Sequence, residues 1–129
     1  MPKTLIKDAR DCTIALVDDE QDLVELYSLV LKTVGLTSFG YTSPIKAFED
    51  IEAKPMFYNM LITDVKMPTM NGYQLVKKVS ELNDTMRIIM MSAYDNLQSE
   101  IDYNADYEVL RKPISNRNLI NVVKDKIGN

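Results

Sequence analysis

An α/β fold with a doubly wound parallel sheet is predicted by three features of this 129-residue chain. Short, nearly uninterrupted apolar runs recur along it, as expected of strands covered on both faces. Amphipathic stretches with helical spacing lie between them, and strand and helix patterns alternate five times.

The first strand is TIALV (13–17), which runs into Asp18 and Asp19. In EQDLVELYSLVLKTV the residues Leu23, Leu26, Tyr27, Val30, Leu31 and Val34 follow the i, i+3, i+4, i+7 rule, so a first helix is expected with Gly35 as its stop. TSFGYT (37–42) is a weaker run, polar enough for an edge strand. Ser43 and Pro44 then supply an N-cap and a first-turn proline, and Ala47, Phe48 and Ile51 mark an inward face. MLIT (60–63) leads into Asp64; Leu75, Val76, Val79 and Leu82 form the next helical stripe after Gly72. RIIMM (87–91) leads into Ser92 and EVLR (108–111) into Lys112. Between those two strands, residues 96–104 offer only Leu97 and Ile101 as anchors, so the fourth helix is expected to be the least firmly packed. Ser115 caps a fifth, carrying Leu119, Val122, Val123 and Ile127. No repeat, linker or low-complexity segment interrupts this order, and one domain over residues 1–129 is expected.

Composition removes several chemistries. With no histidine and a single cysteine, Cys12, the chain holds no Cys/His zinc site, no Ser-His-Asp or Cys-His triad and no internal disulfide. Acidic residues outnumber basic ones, 19 to 15, for a net charge of −4 without a basic block, which argues against direct binding to nucleic acid or to an anionic membrane. MPKTLIKDARDC lacks the apolar core of a signal peptide, and no run approaches the ~20 residues of a membrane span, so a cytoplasmic location is expected.

What remains is the set of residues at the strand ends. Ligands of open parallel sheets bind beyond the carboxyl ends of the strands, and there this chain places Asp18, Asp19, Asp64, Ser92 and Lys112. Each alone is ordinary: acidic pairs cap helices, Lys-Pro makes turns, and serine ends strands. Together, three carboxylates repel unless a cation relieves them, and Mg2+ binds through one or two carboxylates without needing histidine. Lys112 adds a second positive charge and Ser92 a hydroxyl donor, a set suited to phosphoryl transfer with a carboxylate nucleophile.

ALVDDE, LITDVKMPTMNG, IIMMSAYD and VLRKP, in that order and spacing, make residues 12–127 resemble the receiver domain of two-component response regulators. The resemblance implies a flavodoxin-like (βα)5 fold of three layers with strand order 2-1-3-4-5. It implies that Asp64 accepts a phosphoryl group from a sensor histidine kinase or phosphotransfer protein. Asp19 and Asp64 then ligate Mg2+ together with the backbone carbonyl of Lys66, Asp18 holds a metal-bound water, and Mn2+ is the alternative ion. Ser92 and Lys112 are similar to the hydroxyl and lysine that sense the phosphate, and the Lys112–Pro113 bond is expected to be cis. Phosphorylation is expected to draw Ser92 and Lys112 inward and to remodel the face of the fourth helix, last strand and fifth helix, where an unidentified protein target docks.

Some positions depart from that pattern. Val109 stands where the family commonly has an aromatic switch residue; Tyr107, two residues earlier, shares its face by the period-two rule. Lys66 and Tyr94 occupy positions at which the family varies and tunes phosphate lifetime, whereas Thr69 and Met70 fit the loop before Gly72. Two other functions fit the parts less well. A haloacid-dehalogenase-like phosphatase wants a second aspartate where Lys66 stands, and a phosphorylation-independent binding module has no need of the full acidic set. A start at Met1 and an end just past the fifth helix make a stand-alone receiver without an effector domain the expectation.

Overall fold

The computed structural model describes residues 11–93 and 107–128. Within them run β1 (Thr13–Val17), α1 (Gln21–Lys32), β2 (Thr37–Tyr41), α2 (Pro44–Ala53), β3 (Met60–Asp64), α3 (Gly72–Leu82), β4 (Arg87–Ser92), β5 (Tyr107–Arg111) and α4 (Asn116–Gly128). The last of these is the fifth helix of the sequence pattern. The expected helix at 96–104 and Tyr94 lie outside the described residues.

The five strands form one parallel sheet in the order β2-β1-β3-β4-β5. Every residue of β3 and β4 is buried, which explains why those segments are nearly unbroken in apolar residues. In β2, at the sheet edge, burial falls away, in keeping with its polar sequence. Alternation along the strands divides the core in two. Ile14, Leu16, Met60, Ile62, Ile89 and Met91 pack with α1 and α4 on one face; Ala15, Val17, Leu61, Ile88 and Met90 pack with α2 and α3 on the other.

The helix boundaries follow from local chemistry. Ser43 Oγ accepts from Lys46 N at 3.2 Å, with Pro44 in the first turn. Asn71 and Gln74 exchange side-chain and backbone hydrogen bonds at 2.9 Å each, a capping box on α3. Ser115 Oγ accepts from Asn118 N at 3.1 Å ahead of α4. Gly35, at φ +81°, follows α1 in a conformation that side chains resist.

On α1 one expectation needs correction. Leu26 is 43% exposed, and the buried face is Val24, Tyr27, Val30 and Leu31. At 100° per residue Leu26 lies about a third of a turn from the middle of that face, while Val24 falls within it. Charge also enters the core unannounced: Arg87 and Lys126 are 3% and 7% exposed, and Arg87 Nε donates to the Lys126 carbonyl at 2.8 Å. That bond ties the last turn of α4 to the start of β4, satisfying a terminal helix carbonyl.

Candidate functional site

Two strand ends deliver three carboxylates to one place. β1 ends at Val17, so Asp18 and Asp19 follow where the chain leaves the sheet; β3 ends on Asp64 itself. One carboxylate oxygen from each of the three lies within 4.8 Å of the others. Asp18 is fully buried, Asp64 is 7% exposed and Asp19 is open to solvent. A cleft over the site is lined by Asp19, Glu20, Asp64, Lys66, Ala93 and Lys112 among others.

Lys112, carried in beyond β5, is the counter-charge. Its Nζ lies 2.8 Å from Asp18 Oδ2 and 3.2 Å from Asp64 Oδ2. Its own backbone N–H donates to the Ser92 carbonyl at 2.7 Å, which couples the ends of β4 and β5. The Lys112–Pro113 bond is cis, as the resemblance implied. Burial alone would depress the ammonium, but the hydrogen bond to Asp18 and the charges of both carboxylates prevail and raise its pKa. Asp64 is shifted upward as well: burial raises it most, Lys112 opposes, and the neighbouring charges of Asp18 and Asp19 add to the rise.

Asp18 is already engaged at each oxygen. Oδ1 accepts from Glu20 N at 3.0 Å while Oδ2 accepts from Lys112. Asp19 is the solvent-facing member of the set. Such an array of hard oxygen donors around an exposed opening fits a magnesium ion, which keeps several waters and is satisfied by few carboxylates.

The segment after Asp64 is shaped by close backbone approach. Val65 N–H donates to the Met91 carbonyl at 2.9 Å and Gly72 N–H to the Val65 carbonyl at 2.7 Å. A Cβ on Gly72 would fall 2.4 Å from the Asp64 carbonyl oxygen and 2.9 Å from Val65 Cα, so only glycine fits there. Within the loop Met70 N–H donates to the Pro68 carbonyl at 2.8 Å across Thr69, which sits at φ +68°. This is a γ-turn, a strained conformation for a β-branched residue, and the Thr69 hydroxyl donates to the same Pro68 carbonyl.

The structure therefore brings Asp18, Asp19, Asp64 and Lys112 together. Ser92 is the last residue of β4 and is 1% exposed; its neighbour Ala93 lines the cleft. Lys66 is exposed and lines the cleft. Val109 is half-buried on the sheet face that packs against α2 and α3. Sequence patterning gave no sign of a hydroxyl network between the end of β2, α2 and the segment before β3, in which Tyr41 Oη donates to Asp50 Oδ2 at 2.9 Å and lies 2.8 Å from Tyr58 Oη.

A family model for the response regulator receiver domain matches residues 14–124. The chain belongs to that family. Receiver domains are signalling modules rather than ordinary enzymes; phosphorylation-based switching is their general function, and they interact with histidine kinases or phosphotransfer proteins. Among curated relatives, this receiver is 26% identical over 113 residues to the response regulator receiver protein CpdR of Brucella abortus, covering 86% of this chain and 92% of that protein. It is 24% identical over 119 residues to the phosphoglycerate transport system transcriptional regulatory protein PgtA of Salmonella typhimurium, covering 91% of this chain but only 28% of that protein. In three dimensions it superimposes on a CheY-like receiver domain protein from Methanospirillum hungatei with a TM-score of 0.82 at 27% identity, covering 90% of this chain and 93% of the other. The five-stranded order 2-1-3-4-5 with alternating helices is the flavodoxin-like arrangement of these domains. No helix among the described residues is long and apolar enough to cross a membrane.

Proposed function

We propose that this receiver is a phosphoacceptor switch in which Asp64 takes a phosphoryl group from a phosphohistidine donor in a Mg2+-dependent reaction. The observation that supports it most is the meeting of Asp18, Asp19 and Asp64 within 4.8 Å, with the Lys112 ammonium bridging Asp18 and Asp64. Asp19 and Asp64, with the Lys66 backbone carbonyl, would hold the ion directly; Asp18, both of whose oxygens already accept hydrogen bonds, would hold it through water. When bound, Mg2+ or Mn2+ supplies positive charge that shields the donor's phosphoryl oxygens from the carboxylates.

A carboxylate oxygen of Asp64 forms the new bond to phosphorus while the phosphorus–nitrogen bond to the donor breaks, its electron pair leaving with the imidazole. Lys112, already 3.2 Å from Asp64 Oδ2, neutralises charge on the transferred group. Ser92, at the end of β4, donates its hydroxyl to that group, and the hydrogen bond from Lys112 N to the Ser92 carbonyl makes the two strand ends move together. The response is carried to the face around β5 and α4, where a protein target docks, in the cytoplasm.

The test is uptake of phosphate from a small acyl phosphate or a phosphorylated histidine kinase. Wild-type protein gains label in Mg2+ and loses that ability in excess chelator, whereas Asp64→Asn gains none under either condition. Label on Asp64→Asn equal to wild type overturns the assignment.

A further inference from the structure

We propose that Tyr41 is a positioning residue for the acidic site, locked by a hydroxyl clamp to Asp50 and Tyr58 so that its carbonyl holds Asp18 in place. Tyr41 is the last residue of the edge strand β2 and pairs with Val17. Beyond that pair the ladder makes one more bond: Asp18 N–H donates to the Tyr41 carbonyl at 3.1 Å. The end of an edge strand, held on one side only, is where a ladder frays.

The side chain of Tyr41 opposes that fraying. Its one phenolic proton goes to Asp50 Oδ2 at 2.9 Å, so the contact at 2.8 Å with Tyr58 is made by the Tyr58 hydroxyl donating to Tyr41 Oη. Tyr58 is 5% exposed and enters β3 two residues later; Asp50 belongs to α2 and is held in turn by Lys46 at 3.2 Å. The relay therefore fastens the tip of β2 to a neighbouring helix and to the approach to the strand that ends on Asp64. Burial and both hydrogen bonds hold the Tyr41 phenol protonated, well above its ordinary range. Asp18 is fully buried and splits its carboxylate between Glu20 N and Lys112, so a shift of its backbone misplaces both contacts.

This inference rests on the site binding Mg2+, and the experiment separates the two. Tyr41→Phe keeps the ring and removes the clamp; Asp50→Asn, at a partly exposed position, weakens the same clamp without altering the core. Mg2+ binding by calorimetry and amide exchange of Asp18 by NMR are compared below the melting point of each protein. The expected result is Mg2+ binding weakened roughly tenfold in Tyr41→Phe, as for loss of an outer support, together with selective loss of protection at the Asp18 amide. Asp50→Asn shifts both in the same direction. Unchanged Mg2+ affinity and unchanged Asp18 protection in both variants, whatever happens to their melting temperatures, overturn the proposal. If the wild type takes up no Mg2+, the phosphoacceptor assignment falls, and the Asp18 amide alone decides for or against the clamp.

Discussion

Lys112 stands nearer to Asp18 than to Asp64, with Nζ–Oδ2 distances of 2.8 and 3.2 Å. One cation thus serves two buried or nearly buried carboxylates while the third, Asp19, faces water. The charge of the site is unbalanced toward the negative, and that imbalance is what a divalent ion or a rearranged lysine relieves.

Removing the charge at Asp64 is therefore stabilising when no metal is present. Its folded-state pKa lies above the unfolded value, with burial the largest cause. Its contribution to stability is thus present in acid, below the unfolded value, and is lost as pH rises through the folded one. Asp64→Asn is expected to melt higher than wild type near neutral pH in Mg2+-free buffer, with the gap closing in acid. A variant that melts lower at neutral pH contradicts this.

Lys112→Ala acts in the opposite sense. It leaves Asp18 and Asp64 without their shared donor, at a cost of about 1–3 kcal/mol for a buried acceptor group stripped of its partner. Urea unfolding is expected to show the full loss in chelator and a smaller one in Mg2+, because the ion replaces part of the missing charge. Equal losses under both conditions would mean that the lysine and the metal do not serve the same carboxylates.

At Gly72 backbone geometry, not charge, decides. Gly72→Ala drives a Cβ to within 2.4 Å of the Asp64 carbonyl oxygen, which no rotamer change relieves. Overpacking of this kind costs about 1–3 kcal/mol. Both the urea midpoint and the rate of phosphate uptake are expected to fall, because the backbone that yields carries the nucleophile. Normal uptake in a destabilised variant would show that the strain is absorbed elsewhere.

The thiol at Cys12 is expected to be inert in the folded protein. It is fully buried, and burial raises its pKa from 9.0 to about 11 against a weaker pull from Arg87. Alkylation at mildly alkaline pH is expected to be negligible until urea unfolds the chain. The sign for stability follows: the unfolded thiol ionises first, so stability declines as pH rises from about 9 to about 11. Rapid labelling of native protein would contradict this.

How much of this was legible in the sequence depends on whether a residue's role is set locally or by what lies across the core. Met60–Asp64 and Arg87–Ser92 were visible because central strands need apolar side chains on both faces. Asp18, Asp19, Asp64 and Lys112 were visible because strand ends of a parallel sheet converge, so linear order becomes proximity. Helix starts at Ser43, Asn71 and Ser115 have local chemical causes, and α3 begins at Gly72 as its sequence suggests, with Asn71 as the cap before it. The helical period places Leu26 on the inward stripe and leaves Val24 out of it, because only the packing partners fix where the stripe is centred. The burial of Arg87 and Lys126 has no local signal, since nothing nearby in sequence announces a bond between residues 39 positions apart. Tyr41, Asp50 and Tyr58 likewise meet only through the fold.

The central claim, that Asp64 is the nucleophile, is tested most directly by the chemistry of the modified residue. Protein treated with an acyl phosphate donor and Mg2+ is quenched with borotritide, which reduces an aspartyl phosphate to homoserine, then digested and sequenced by mass spectrometry. The account predicts tritiated homoserine at position 64 and at no other aspartate, absent when chelator replaces Mg2+. Label at Asp18 or Asp19, or phosphate held as a serine or threonine ester that resists reduction, would contradict it.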